Sequence, residues 1–143
     1  MIQVLEQNRS ANRRQLRIAI ADDEPDMRNY LQKILPRLGH EVVAVAADGR
    51  ELVELCRAYR PDLVITDERM PELNGSDAVR LIMEFYPVPF IIISAFARPQ
   101  SQDTVCGAPV VNLVKPVRLP DILRALTDMQ AWFEKKSGTE SVV

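Results

Sequence analysis

The chain has 143 residues, 47% of them hydrophobic, which suits one compact domain with a full core and leaves no room for two ordinary ones. A formal net charge of -2 and a pI near 5.5 exclude a strongly basic nucleic-acid footprint. Cys56 and Cys106 form neither a disulfide framework nor a metal-ligand spacing, no apolar stretch is long enough to cross a bilayer, and Met1 to Arg17 lacks the uninterrupted hydrophobic core of a signal peptide, so a soluble cytoplasmic protein is expected.

Residues 1–14 are polar and without period, and are expected to form a flexible arm. Arg9, Arg13, Arg14 and Arg17 cluster there; a solvated arm is the expected account, with contact to an acidic partner as the minor alternative. The body of the domain is expected over 15–136. Leu16 to Ala21 is a short apolar run of the kind that forms a buried parallel strand, and it ends on Asp22-Asp23. Pro25 suits a first helical position, and Met27, Tyr30, Leu31, Ile34, Leu35 and Leu38 follow at helical spacing until Gly39 stops them. His40, the only histidine, follows in the turn and is expected to be exposed.

Val42 to Ala46 is a second strand, and Asp48-Gly49 turns the chain into a helix with Leu52, Val53, Cys56 and Tyr59 on its apolar face. Arg60-Pro61 ends that helix, since the residue before proline is pushed out of helical geometry. Cys56 is then a buried thiol. Asp62 to Thr66 is a third strand, ending on Asp67; Met70 to Gly75 is a loop; Ser76 is a candidate helix cap before Val79, Ile82, Met83 and Tyr86. Phe90 to Ser94 is the fourth strand and Val110 to Val114 the fifth, followed by Lys115-Pro116. Between them, Ala97 to Pro109 contains Pro99, Gly107 and Pro109 with few apolar residues, so any helix there should be short or irregular. The last helix starts near Leu119-Pro120-Asp121 and carries Ile122, Leu126, Met129 and Phe133 on one stripe, with Trp132 packing or rimming it. A disordered tail is expected over 137–143.

This alternation implies an α/β domain with helices on both faces of a parallel sheet. Ligands of such sheets gather beyond the carboxyl ends of the strands, where Asp22, Asp23, Asp67 and Lys115 all fall. Two like charges about 4 Å apart repel by roughly 4 kcal/mol at an effective dielectric near 20. A hard divalent cation relieves that repulsion, and magnesium is the common intracellular choice. Any one of these acids alone would read as a helix cap or a solvated rim; the convergent set reads as a site for a metal and a phosphoryl group.

Asp22-Asp23, Asp67 with Met70-Pro71 and Gly75, Ser94-Ala95 and Lys115-Pro116 together resemble the response-regulator receiver domain of two-component signalling, over roughly 15–135. The resemblance implies a flavodoxin-like five-stranded sheet in order 2-1-3-4-5 with five flanking helices, the fourth short or irregular. It implies Asp67 as phosphoacceptor, magnesium held by Asp23 and Asp67, by Asp22 through water and by the backbone carbonyl of Arg69, and Lys115 and Ser94 contacting the phosphoryl group. It also implies a cis peptide at Lys115-Pro116 that aims the lysine inward. The phosphoryl donor is then a histidine kinase or phosphotransfer protein, and the output is an unidentified protein or a relay. A weak homodimer is implied, with no direct nucleic acid and no membrane contact. The chain reads as a stand-alone receiver. Two positions depart from the family pattern. Asn112 stands where a switch tyrosine or phenylalanine is usual, with Phe96 as a conceivable substitute, and Arg69 is a long cation beside the site. An interaction module that keeps the fold without phosphorylation is therefore the alternative reading. A magnesium-dependent phosphatase is weakened by Arg69, where a second carboxylate is needed.

Overall fold

The computed structural model describes residues 14–96, 104, 105 and 107–141. Strands β1 (Arg17–Ala21), β2 (Glu41–Ala46), β3 (Leu63–Asp67), β4 (Phe90–Ser94) and β6 (Ala108–Val114) form a parallel sheet in order β2-β1-β3-β4-β6, the 2-1-3-4-5 arrangement once the short β5 (Thr104–Val105) is set aside. β5 pairs antiparallel with the start of β6, so the last strand begins at Ala108, earlier than Val110. Four helices occur among the described residues: α1 (Pro25–Arg37), α2 (Gly49–Tyr59), α3 (Gly75–Met83) and α4 (Leu119–Ser141). The irregular helix expected before the last strand falls on a stretch largely outside the described residues; its described part holds the strand Thr104–Val105, a turn at Gly107 and the start of β6.

Because successive strand side chains point to opposite faces, the sheet sorts its core into two layers. Ile18, Ile20, Ile65, Ile91 and Ile93 pack against Leu31, Ile34 and Leu35 of α1 and Ile122, Leu126, Met129 and Phe133 of α4. On the other face Ala19, Ala21, Ala44, Ala46, Val64 and Ile92 meet Leu52, Val53 and Cys56 of α2 and Ala78, Val79 and Ile82 of α3. Cys56 is fully buried, and burial pushes its thiol up to about 12, which leaves it inert.

Helix ends follow local chemistry. Pro25 opens α1, and Gly39 closes its turn with a φ of 93°. Asp48 caps α2 by accepting from the Glu51 amide at 2.8 Å, while Glu51 accepts from the Ala47 amide at 2.7 Å. Arg60 leaves helical geometry before Pro61 as expected, into the left-handed region at φ 46°.

Several expectations are corrected. Asn74, not Ser76, caps α3, accepting from the Asp77 amide at 2.8 Å. His40 is buried, because the β1–β2 pairing draws it under the sheet edge, where its Nδ1 accepts from the Leu16 amide at 3.0 Å. Tyr59 is 51% exposed and Tyr30 is exposed as well: both lie at the margin of their helical stripes, where the phenol keeps water. Arg14 and Arg17 are not parts of a solvated arm. Arg17 lies in β1, and the Arg14 carbonyl accepts from Gln130 Nε2 at 2.7 Å; Arg9 and Arg13 lie outside the described residues. The α4 backbone is helical through Ser141. No helix among the described residues is long and apolar enough to cross a membrane.

Candidate functional site

Three strand ends build one cluster. β1 delivers Asp22 and Asp23, β3 ends on Asp67, and β6 runs into Lys115. Carboxylate oxygens of Asp22, Asp23 and Asp67 lie within 4.8 Å of one another. Lys115 Nζ stands 3.1 Å from Asp67 Oδ1. Asp22 and Asp67 are only 2% and 3% exposed, whereas Asp23 faces solvent.

The buried acids are held firmly. Asp22 donates its amide to the Ala46 carbonyl at 3.1 Å, accepts from Arg28 Nη1 on its own carbonyl at 2.8 Å, and takes the Glu24 amide on Oδ1 at 2.9 Å. Beyond Asp67, the Glu68 carboxylate clasps the first turn of α3, taking the Ser76 amide at 2.7 Å and the Ser76 hydroxyl at 2.6 Å. Gly75 allows that approach, because a Cβ there would run into the Asp67 carbonyl. The sequence reading missed Arg28, Glu68 and Asn74. Asn74 carried a signal in its spacing to Asp77; Arg28 and Glu68 carried none that a single sequence reveals.

Electrostatics follow from burial. Desolvation pushes the Asp22 carboxyl up to about 6; the Glu24 amide opposes this, Asp67 adds to it, and Lys115 opposes it. Asp67 is also raised by burial, in spite of the hydrogen bond and charge of Lys115, with Asp23 and Glu24 adding to the rise. For Lys115, burial alone would lower the ammonium, but the Asp67 hydrogen bond and charge, then Asp22 and Glu24, hold it above its ordinary value. The upward shift at Asp67 and the upward shift at Lys115 are compatible: the pair attracts, yet desolvation of the nearly inaccessible carboxylate outweighs that attraction on the acid side.

A cavity of about 220 Å³ opens over Asp67, lined also by Glu68, Arg69, Ser94, Ala95, Phe96 and Lys115. Arg69 borders a second, shallower recess with Asp23, Met70, Pro71 and Asn74, so it stands between the two. Ser94 is buried, and its hydroxyl donates to the Phe96 carbonyl at 2.7 Å. Phe96 itself is 72% exposed. The Lys115-Pro116 peptide is cis. Asn112 pairs with Ile92 across β4 and β6, and its Oδ1 is buried with no hydrogen-bond partner. The expected cluster of Asp22, Asp23, Asp67, Ser94, Arg69 and Lys115 is thus brought together at one mouth, while Asn112 lies apart in the sheet.

Comparison with known proteins agrees with this geometry. The family described as response regulator receiver domain matches residues 18–127. The chain is 35% identical over 112 residues to the chemotaxis protein CheY of Thermotoga maritima, covering 77% of this chain and 93% of that one. It is 42% identical over 95 residues to a protein-glutamate methylesterase/protein-glutamine glutaminase of Pyrococcus abyssi, covering 64% of this chain but spanning only 25% of that longer relative. Among solved structures, the CheX-CheY-BeF3-Mg complex from Borrelia burgdorferi superposes with a TM-score of 0.68 at 26% identity, covering 78% of this chain and 87% of that one. Fold, acidic cluster and sequence relatives therefore agree that the chain belongs to the response regulator receiver domain family.

Proposed function

We propose that the protein is a phosphoacceptor signalling domain in which Asp67 takes a phosphoryl group from a histidine kinase or phosphotransfer protein. One observation carries this reading: a buried carboxylate stands between two further acids and an ammonium 3.1 Å away. The donor set also suits magnesium, because it offers hard oxygen ligands within 4.8 Å and burial strains two of them in the ionised form. Asp23 and Asp67 would hold the ion directly, Asp22 through water, and Arg69 through its carbonyl. Bound there, the ion would supply positive charge against the phosphoryl oxygens. The Borrelia burgdorferi CheY complex, which carries BeF3 and magnesium, supports the same assignment.

In the proposed transfer, an Asp67 carboxylate oxygen forms the O–P bond as the N–P bond of a phosphohistidine breaks, and the imidazole nitrogen keeps the electron pair. Lys115 opposes the rise that burial imposes on Asp67 and neutralises charge on the phosphoryl oxygens during transfer. Ser94 would turn its hydroxyl from the Phe96 carbonyl to the phosphoryl group, which couples occupancy of the site to an exposed aromatic. Signalling then proceeds by binding an output protein or by relay, in the cytoplasm, with a weak homodimer as a further expectation.

Incubation with acetyl phosphate and magnesium tests the reading by intact mass. One added phosphoryl group, absent in Asp67→Asn, supports it. No labelling favours the non-phosphorylated interaction module, which the orphaned Asn112 acceptor on the altered face also suits. Many turnovers on a phosphate ester would favour an enzyme.

A further inference from the structure

At the opposite end of the sheet from Asp67, the start of β1 and the ends of α2 and α3 bring arginines together on a platform of rings and carbonyls. The Arg57 guanidinium lies 4.5 Å from the Phe85 ring centre, and that of Arg60 lies 5.1 Å from the Tyr86 ring. Those two rings touch, with centres 5.6 Å apart, and Tyr86 is tied by its hydroxyl to the Pro61 carbonyl at 3.1 Å. Arg17 joins the group by donating to the Arg60 and Tyr59 carbonyls at 3.0 and 2.9 Å. None of Arg17, Arg57 and Arg60 has a carboxylate within 4.0 Å among the described residues. The nearby Asp62 instead takes the Arg14 guanidinium at 3.4 Å and the Arg17 amide at 2.9 Å.

Serving the C-terminus of α2 does not account for this much charge. A helix end carries roughly half an elementary charge, which Arg17 already meets through two carbonyls. Arg57 and Arg60 are exposed, and each is fixed by a ring rather than by an acid. A guanidinium lying on a ring keeps its N–H edges outward in a planar fork, already ordered for a carboxylate.

We propose that this arginine platform is a docking surface for an acidic peptide segment of a partner protein. Tyr59, half-exposed at the rim, adds an apolar contact for a side chain between the acids. A nucleic acid fits less well, for two reasons. The ring faces that bases would stack on are taken by guanidiniums, and the chain as a whole carries a net charge of -2.

The probe is a dye-labelled peptide of alternating Asp, Glu and Leu, with a Gln-for-Glu, Asn-for-Asp copy and a dye-labelled thymidine oligonucleotide as comparisons. Anisotropy should show binding of the acidic peptide alone, weakening as salt rises. In the 15N-labelled parent protein, the amides that shift on titration should be those of Arg57, Tyr59, Arg60 and their neighbours. Arg57→Gln with Arg60→Gln should weaken binding at least tenfold, with Arg57→Lys retaining part of it. Shifts confined to other surfaces, undiminished binding in the double variant, or tighter binding of the oligonucleotide would each overturn the proposal. So would equal binding of the neutral peptide. The parent titration decides the matter even if the double variant does not fold.

Discussion

Lys115 reaches Asp67 from the far side of the sheet mouth, ammonium to carboxylate at 3.1 Å, although the lysine side chain is 36% exposed and the acid is buried. The asymmetry defines their division of labour. The acid is fixed by burial, while the cation is free to follow an oxygen that moves outward. Lys115→Met should therefore reduce labelling by acetyl phosphate at least tenfold, about 1.4 kcal/mol or more of lost charge stabilisation. Magnesium affinity, read by calorimetry, should change less than labelling does.

The Asp22 carboxyl, pushed up to about 6 from 3.8, makes the metal-free protein pH-sensitive. An acid that binds its proton more tightly folded than unfolded stabilises the fold below the unfolded value, and that stabilisation is lost as pH rises through the folded value. Between about pH 4 and pH 7 the loss from this group amounts to at most about 3 kcal/mol. Asp22→Asn removes it. In urea unfolding with chelator present, the variant should gain on the parent as pH rises, and magnesium should reverse the order near neutrality because it binds the ionised acids.

The site was legible in the sequence because each of its acids and its lysine terminates an apolar run, so the topology alone carries Asp22, Asp67 and Lys115 to one edge. The two-layer core was legible for the same reason, in the alternation of Ile18, Ala19, Ile20 and Ala21. What stayed hidden depends on pairings between segments remote in the chain. The burial of His40 needs the β1–β2 register, and the Glu68 clasp on Ser76 needs α3 to fold back over the end of β3. A helical period also does not tell the centre of a stripe from its margin, which is why Tyr59 was assigned inward.

His40 gives that hidden contact a measurable consequence. Its Nδ1 is the acceptor for the Leu16 amide at the head of β1, and His40→Ala leaves that donor buried without a partner. The expected cost is about 1–3 kcal/mol in urea unfolding. Labelling of Asp67 in the folded variant should be unaffected, since the contact lies at the other end of the strand.

Gly75 is required by a close approach rather than by an unusual backbone angle. A methyl group there meets the Asp67 carbonyl and must push α3 away from β3. Gly75→Ala should cost about 1–3 kcal/mol of stability. Because the displaced carbonyl belongs to Asp67 itself, magnesium affinity should fall with it, which separates this variant from His40→Ala.

Asn112 offers the opposite sign. Its Oδ1 is buried in the sheet with no donor, so the side chain carries a desolvation cost that no hydrogen bond offsets. Asn112→Val removes the orphaned acceptor and places a β-branched residue in a strand, and should stabilise the protein by about 1 kcal/mol. If Asn112 serves only packing, labelling of Asp67 in this variant equals that of the parent. If the orphaned acceptor takes a donor when the site is phosphorylated, the stability gain should shrink when beryllofluoride and magnesium are added, and unfolding curves of the two proteins with and without that mimic measure the difference directly.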